Sequence, residues 1–102
     1  MRVQGELNDS EAVLHVSGEI DIVVAPELRE AIGRAFEYGA KTLVVDCSEL
    51  TFIDSSGLGA IVEGHTRAEK AESDFVVRNP SDFLMKLLRT TGLDHILHIV
   101  QD

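Results

Sequence analysis

Two short apolar runs, Leu43-Val44-Val45 and Phe75-Val76-Val77, are separated by a helical stripe of Leu58, Ile61, Val62, His65 and Ala68. Continuous runs of this kind suit strands covered on both faces. Two strands joined through a helix must run parallel. The same alternation extends along the chain. Leu28, Ile32, Ala35 and Phe36 form an earlier stripe. Pro26 opens it, where a missing N–H costs nothing, Glu30 and Arg34 are spaced to pair across one turn, and Gly39 is placed as a stop. Ser81 is positioned to cap a third helix that buries Leu84, Leu87 and Leu88 and ends at Gly92. A last short strand is expected around Leu97 to Val100. Before the first stripe the period is two: Val3, Gly5 and Leu7 face one way, Gln4 and Glu6 the other. Asn8-Asp9-Ser10 is turn chemistry, and Ala12 to Ser17 returns as a second strand closed by Gly18, with Glu19-Ile20-Asp21 opening a loop. The expected fold is α/β in the order β-β-α-β-α-β-α-β. It is a small mixed sheet with an antiparallel first edge strand, otherwise mainly parallel, and helices packed against it.

With 102 residues, 44% of them apolar, the chain is expected to form a single domain over residues 1–102. No run approaches the roughly 18 apolar residues of a membrane span. The start, Met1-Arg2-Val3-Gln4-Gly5-Glu6, carries a charge but no apolar segment, which argues against a signal peptide and for a cytoplasmic protein. Nine basic residues against eighteen acidic give a net charge of −9. Nucleic acids and anionic membranes are bound through clustered Lys and Arg, so neither is an expected partner. A basic protein surface is. Cys47 is the only cysteine. It cannot form an internal disulfide and follows an apolar run, where it is expected to be a buried small hydrophobe.

The most informative string is Asp54-Ser55-Ser56-Gly57-Leu58-Gly59, at a strand-to-helix corner. Loops at the carboxyl ends of strands are where sites gather. Two hydroxyls at a helix start lie beside free N–H groups that stabilise an anion such as phosphate. Gly57 and Gly59 remove side-chain bulk and permit a close approach. Asp54 supplies a carboxylate to orient a hydroxyl or cap the helix. On physical grounds alone capping is the commoner role of such a string, and a phosphoacceptor the rarer one. A serine hydrolase elbow fails, because Ile53 occupies the position two before Ser55 where glycine is needed. Asp94 and His95, the remaining triad candidates, are chain neighbours. A dinucleotide fingerprint fails at Val62. His95 and His98 have metal-ligand spacing only on a helix, and no further ligand completes a zinc site. Glu63, Glu69 and Glu72 read as a solvated helix face, with Glu63 spaced to pair with Arg67.

Four segments together resemble the STAS domain, and more narrowly the bacterial anti-sigma factor antagonists. They are Gly18-Glu19-Ile20-Asp21, Pro26-Glu27-Leu28, Phe52 to Gly59, and Thr91-Gly92-Leu93. The resemblance implies a regulatory protein that is not an enzyme and needs no cofactor or metal. It implies that the unphosphorylated form binds an anti-sigma factor that is also a serine kinase, freeing a sigma factor for transcription. Phosphorylation of Ser55, with Ser56 as second choice, then switches binding off, and a metal-dependent serine phosphatase resets it. Asp21, Asp54, Ser56, Gly57, Leu58 and Gly59 are the implied partner-binding residues. The alternative within the same family is a STAS subunit of a lipid or anion transport complex. Val24-Ala25-Pro26 departs from the family pattern by lacking the Ser or Thr that often caps the first helix.

Overall fold

In the computed structural model, which describes residues 1–102, Asp9 takes a positive φ of 56° and turns β1 (Arg2–Asn8) back onto β2 (Glu11–Ile20). The hairpin is antiparallel, with Val3 opposite Val16 and Leu7 opposite Ala12. Three crossovers follow: α1 (Ala25–Glu37) to β3 (Thr42–Ile53), α2 (Ser55–Lys70) to β4 (Asp74–Arg78), and α3 (Asp82–Thr91) to β5 (His98–Val100). A 3-10 turn, Leu93–His95, lies between α3 and β5. The sheet order is β1-β2-β3-β4-β5, with every pair after the hairpin parallel. The expected architecture is the observed one. No helix is long and apolar enough to cross a membrane.

Helix ends follow local chemistry. The Ser81 hydroxyl accepts the Leu84 N–H at 3.3 Å. Gly92, in the left-handed region at φ 77°, ends α3 where a Cβ would be strained. Two strands run further than their apolar residues indicate. Gly18 does not close β2. At φ 85° it sits within the strand, between register irregularities at His15/Ser17 and Gly18/Glu19, and pairing continues to Ile20 opposite Ile53. A bulge of this kind absorbs an extra residue and bends the strand while leaving the ladder intact beyond it. Likewise β3 extends from Thr42 through exposed Ser48 and Glu49 to Ile53. These extensions bring the ends of β2 and β3 side by side.

All three helices pack on one face. Leu28 and Ile32 of α1, Ala60 and Ile61 of α2, and Leu84 and Leu88 of α3 share a core with Leu14, Val16, Leu43, Val45, Phe75 and Val77. Right-handed crossovers that always step the same way across a sheet leave every helix on the same side. Leu43–Val45 and Phe75–Val77 are buried on both faces, as expected, but helices cover only one of those faces. Val13, Val44 and Val76, which point the other way, form a separate cluster with Val100 that contains no helix residue. Cys47 is 1% exposed, and burial, with the adjacent Asp46 charge, pushes its thiol up to about 12. It behaves as the small hydrophobe expected.

Polar side chains bridge the strands on this open face. Asp46 Oδ2 accepts from His15 Nδ1 at 3.0 Å and from Arg78 Nη2 at 3.3 Å, while Oδ1 accepts the Ser48 N–H at 3.1 Å. Burial pushes the Asp46 carboxyl up, but the hydrogen bonds from Ser48, His15 and Arg78 outweigh it and hold the group below its ordinary value. A lowered folded-state pKa contributes stability that is present above the unfolded value, about pH 3.9, and lost as pH falls through the folded value. Asp46→Asn is accordingly expected to cost about 1–2 kcal/mol at pH 7. In urea melts at a series of pH values, the gap to the parent protein closes below about pH 4.

Candidate functional site

The carboxyl ends of β2 and β3 converge at one corner. The Asp54 N–H donates to the Ile20 carbonyl at 3.1 Å, and Ile20 lies opposite Ile53. Asp21 and Asp54 are thus the first residues beyond two adjacent, registered strand ends. Each carboxylate serves its own backbone. Asp54 is the N-cap of α2: its Oδ1 accepts the Ser56 N–H at 2.9 Å and the Gly57 N–H at 3.2 Å. Asp21 Oδ1 accepts the Val23 and Val24 N–H groups at 3.0 and 3.2 Å, and its carbonyl takes the Ala25 N–H at 2.8 Å. Val24, at the head of α1, makes no side-chain cap. Asp21 closes the turn before α1 in its place.

Because Asp54 caps the helix, neither serine has to. Ser55 is the first residue of α2 and is exposed, and its hydroxyl makes no hydrogen bond within the chain. Ser56 is half-buried. No base touches the Ser55 hydroxyl, so nothing in the chain activates it as a nucleophile. What it offers is an accessible oxygen at the positive end of a sixteen-residue helix.

The two glycines differ. Gly57 is buried, and a Cβ there would meet Ile20 Cγ2 and Ile53 Cγ1, each at 2.6 Å. Its bareness serves the approach of α2 to the sheet. Leu58 is half-buried and packs against the same core. At Gly59 a Cβ would have ordinary room, with the Arg29 guanidinium its nearest neighbour at 3.6 Å. Arg29, on α1, donates from Nε to Glu63 Oε2 at 2.6 Å and from Nη2 to the Ser56 carbonyl at 3.3 Å. Glu63 therefore pairs across helices with Arg29 rather than along α2 with Arg67, whose guanidinium lies 5.6 Å from the centre of the Phe36 ring.

Exposed apolar residues flank the corner in the chain. Ile22 and Val23, immediately after Asp21, are 72% and 80% exposed. Phe52, just before Ile53, is 40% exposed and packs against Phe83 with ring centres 5.6 Å apart. Single exposed apolar residues are ordinary, but Ile22, Val23 and Phe52 lie within two positions of Asp21 or Asp54 along the chain. None of these residues, nor Arg29, is among the site residues that the sequence implies. Ile22-Val23, two large apolar residues in a loop between acid and helix, was the one visible signal. A groove of about 530 Å³ lies between β1, β2 and α1 and takes no lining residue from the Asp54–Gly59 corner. His95 and His98 fall in the 3-10 turn and at the start of β5.

Residues 3–101 match the family model described as Mlab, STAS domain. The anti-sigma-B factor antagonist of Listeria monocytogenes is 34% identical over 86 residues, spanning 84% of this chain and 75% of that protein. The solved anti-sigma factor antagonist from Mycobacterium paratuberculosis superposes with a TM-score of 0.87 at 32% identity, over 97% of this chain and 84% of the other. The anti-sigma factor antagonist SpoIIAA, solved in its unphosphorylated form, superposes with a TM-score of 0.85 at 25% identity, over 99% and 88% of the two chains. The chain belongs to the STAS domain family and, within it, to the anti-sigma factor antagonists.

Proposed function

We propose that the chain binds an anti-sigma factor with serine kinase activity through the Asp21/Asp54 corner, and that phosphorylation of Ser55 ends this binding. The observation that carries the reading is the hydroxyl of Ser55, exposed and unbonded at the start of α2 because Asp54 has taken over the capping. SpoIIAA, a neighbour of the same fold, has been solved in both unphosphorylated and phosphorylated forms, which supports a phosphate switch in this group. Ile22, Val23 and Phe52 supply apolar contact area around the acceptor.

The switch follows from charge. Phosphorylation adds about −1.5 to −2 charges and three acceptor oxygens. On a chain at −9, beside Asp54 and Asp21, the new dianion opposes any partner carboxylate and forces the partner to desolvate it. The α2 N-terminus stabilises the phosphate within the chain, so modification leaves the fold in place. The protein is then a substrate and not a catalyst. A metal-dependent serine phosphatase restores the hydroxyl, and the setting is cytoplasmic. Ser56, half-buried and closer to the core, is the poorer acceptor.

Incubation with the anti-sigma factor kinase encoded in the same genome and with ATP, read by intact mass and peptide mapping, tests this directly. One phosphate on Ser55 is expected, accompanied by dissociation of the complex on a sizing column. Phosphate on another residue, or a modified complex that stays together, overturns the assignment.

A further inference from the structure

Arg29 is the one Lys or Arg side chain that hydrogen-bonds to the first turn of α2. Side chains on a helix lean toward its N-terminus, so a side chain at position 59 would cover the turn containing Ser55 and Ser56. Glycine leaves that surface open, and the guanidinium occupies it, 3.6 Å from where a Gly59 Cβ would stand and 3.3 Å from the Ser56 carbonyl. Ser55, Gly59 and Glu63 succeed one another at i, i+4 spacing along one face of α2. Arg29 thus lies across that face between the acceptor serine and Glu63. Its bond to Glu63 joins two side chains that are 40% and 62% exposed, the class of ion pair that contributes little.

We propose that Arg29 is the internal counter-ion of a phosphoryl group on Ser55, and that it leaves Glu63 to take that role. This rests on the reading of Ser55 as the acceptor. A phosphoserine dianion carries more charge than the Glu63 carboxylate and matches the guanidinium fork with two parallel hydrogen bonds. The competing acids at the corner are otherwise engaged: Asp54 holds the Ser56 and Gly57 N–H groups, and Asp21 holds those of Val23 and Val24. The exchange changes the surface twice. The phosphate is partly neutralised by its own protein, and Glu63, two turns along α2, is left as a bare carboxylate. Repulsion of the partner then extends along the exposed face of α2 beyond the modified residue.

Phosphoserine installed at position 55 during translation tests the idea without any kinase. The phosphorus resonance of the full chain, followed against pH, gives the second phosphate ionisation. It is expected to fall at least about 0.5 unit lower in the parent than in Arg29→Gln. Arg29→Lys should retain part of the shift, and Arg34→Gln, altered elsewhere on α1, should match the parent. Equal titration of the parent and Arg29→Gln, with both folded by circular dichroism, overturns the proposal. Failure of the kinase to modify Ser55 would instead refute the acceptor assignment, which the mass measurement reads separately.

Discussion

Ser55→Asp is expected to weaken binding of the anti-sigma factor at least about tenfold, while Ser55→Ala stays within about threefold of the parent. Tenfold corresponds to only about 1.4 kcal/mol. A carboxylate pressed into an interface without a partner costs several times that. Aspartate adds one charge at the tip of α2, next to Asp54 and across from Asp21, where the parent presents a neutral hydroxyl. Alanine removes the acceptor oxygen but adds no charge, and no hydrogen bond within the chain is lost, because the hydroxyl makes none. Titration calorimetry at two salt concentrations separates the effects. The aspartate penalty shrinks in high salt as the repulsion is screened, whereas a loss of shape complementarity would not. Equal affinities for the two variants sink the charge switch.

The second large effect is one of stability. Gly57→Ala is expected to lower the unfolding free energy by about 1–3 kcal/mol, the usual cost of overpacking. The added methyl would lie 2.6 Å from side-chain atoms of both Ile20 and Ile53, so α2 must lift from the sheet or both isoleucines must shift. For a domain near this size each kcal/mol corresponds to a melting-temperature change of about 4–8 °C. Gly59→Ala is the matched control: its methyl has ordinary room, and alanine favours helix over glycine, so its melting temperature stays level or rises. A thermal melt of both variants decides the matter. If Gly57→Ala melts with the parent yet loses its partner, position 57 contacts the partner after all.

These two substitutions also mark where sequence reasoning stops. The string from Asp54 to Gly59 identifies the corner, and its serines and glycines can be named without coordinates. Their division of labour cannot. Which of three adjacent polar residues caps α2 depends on the direction in which β3 delivers the chain, and that direction comes from pairing with β2. Gly57 and Gly59 are equivalent in composition, yet one faces two isoleucines from separate strands and the other faces an arginine from another helix. The Glu63–Arg67 pairing was plausible from spacing alone, but local spacing carries no information about Arg29, which reaches in from α1. Gly18 is ambiguous for a related reason: a glycine after an apolar run suits either a turn or a bulge, and only the continuing ladder to β3 shows that this one sits inside a bulge.

Element type, order and strand direction were determined by the amino-acid sequence alone. They depend on the period of apolar residues and on caps and turns, interactions within a few positions that survive in any context. The open sheet face, the meeting of Asp21 with Asp54, the freedom of the Ser55 hydroxyl and the reach of Arg29 were decided only in the tertiary structure. Each requires residues distant along the chain to be brought within a few ångströms by registered strands and same-side crossovers, and no local pattern encodes that proximity.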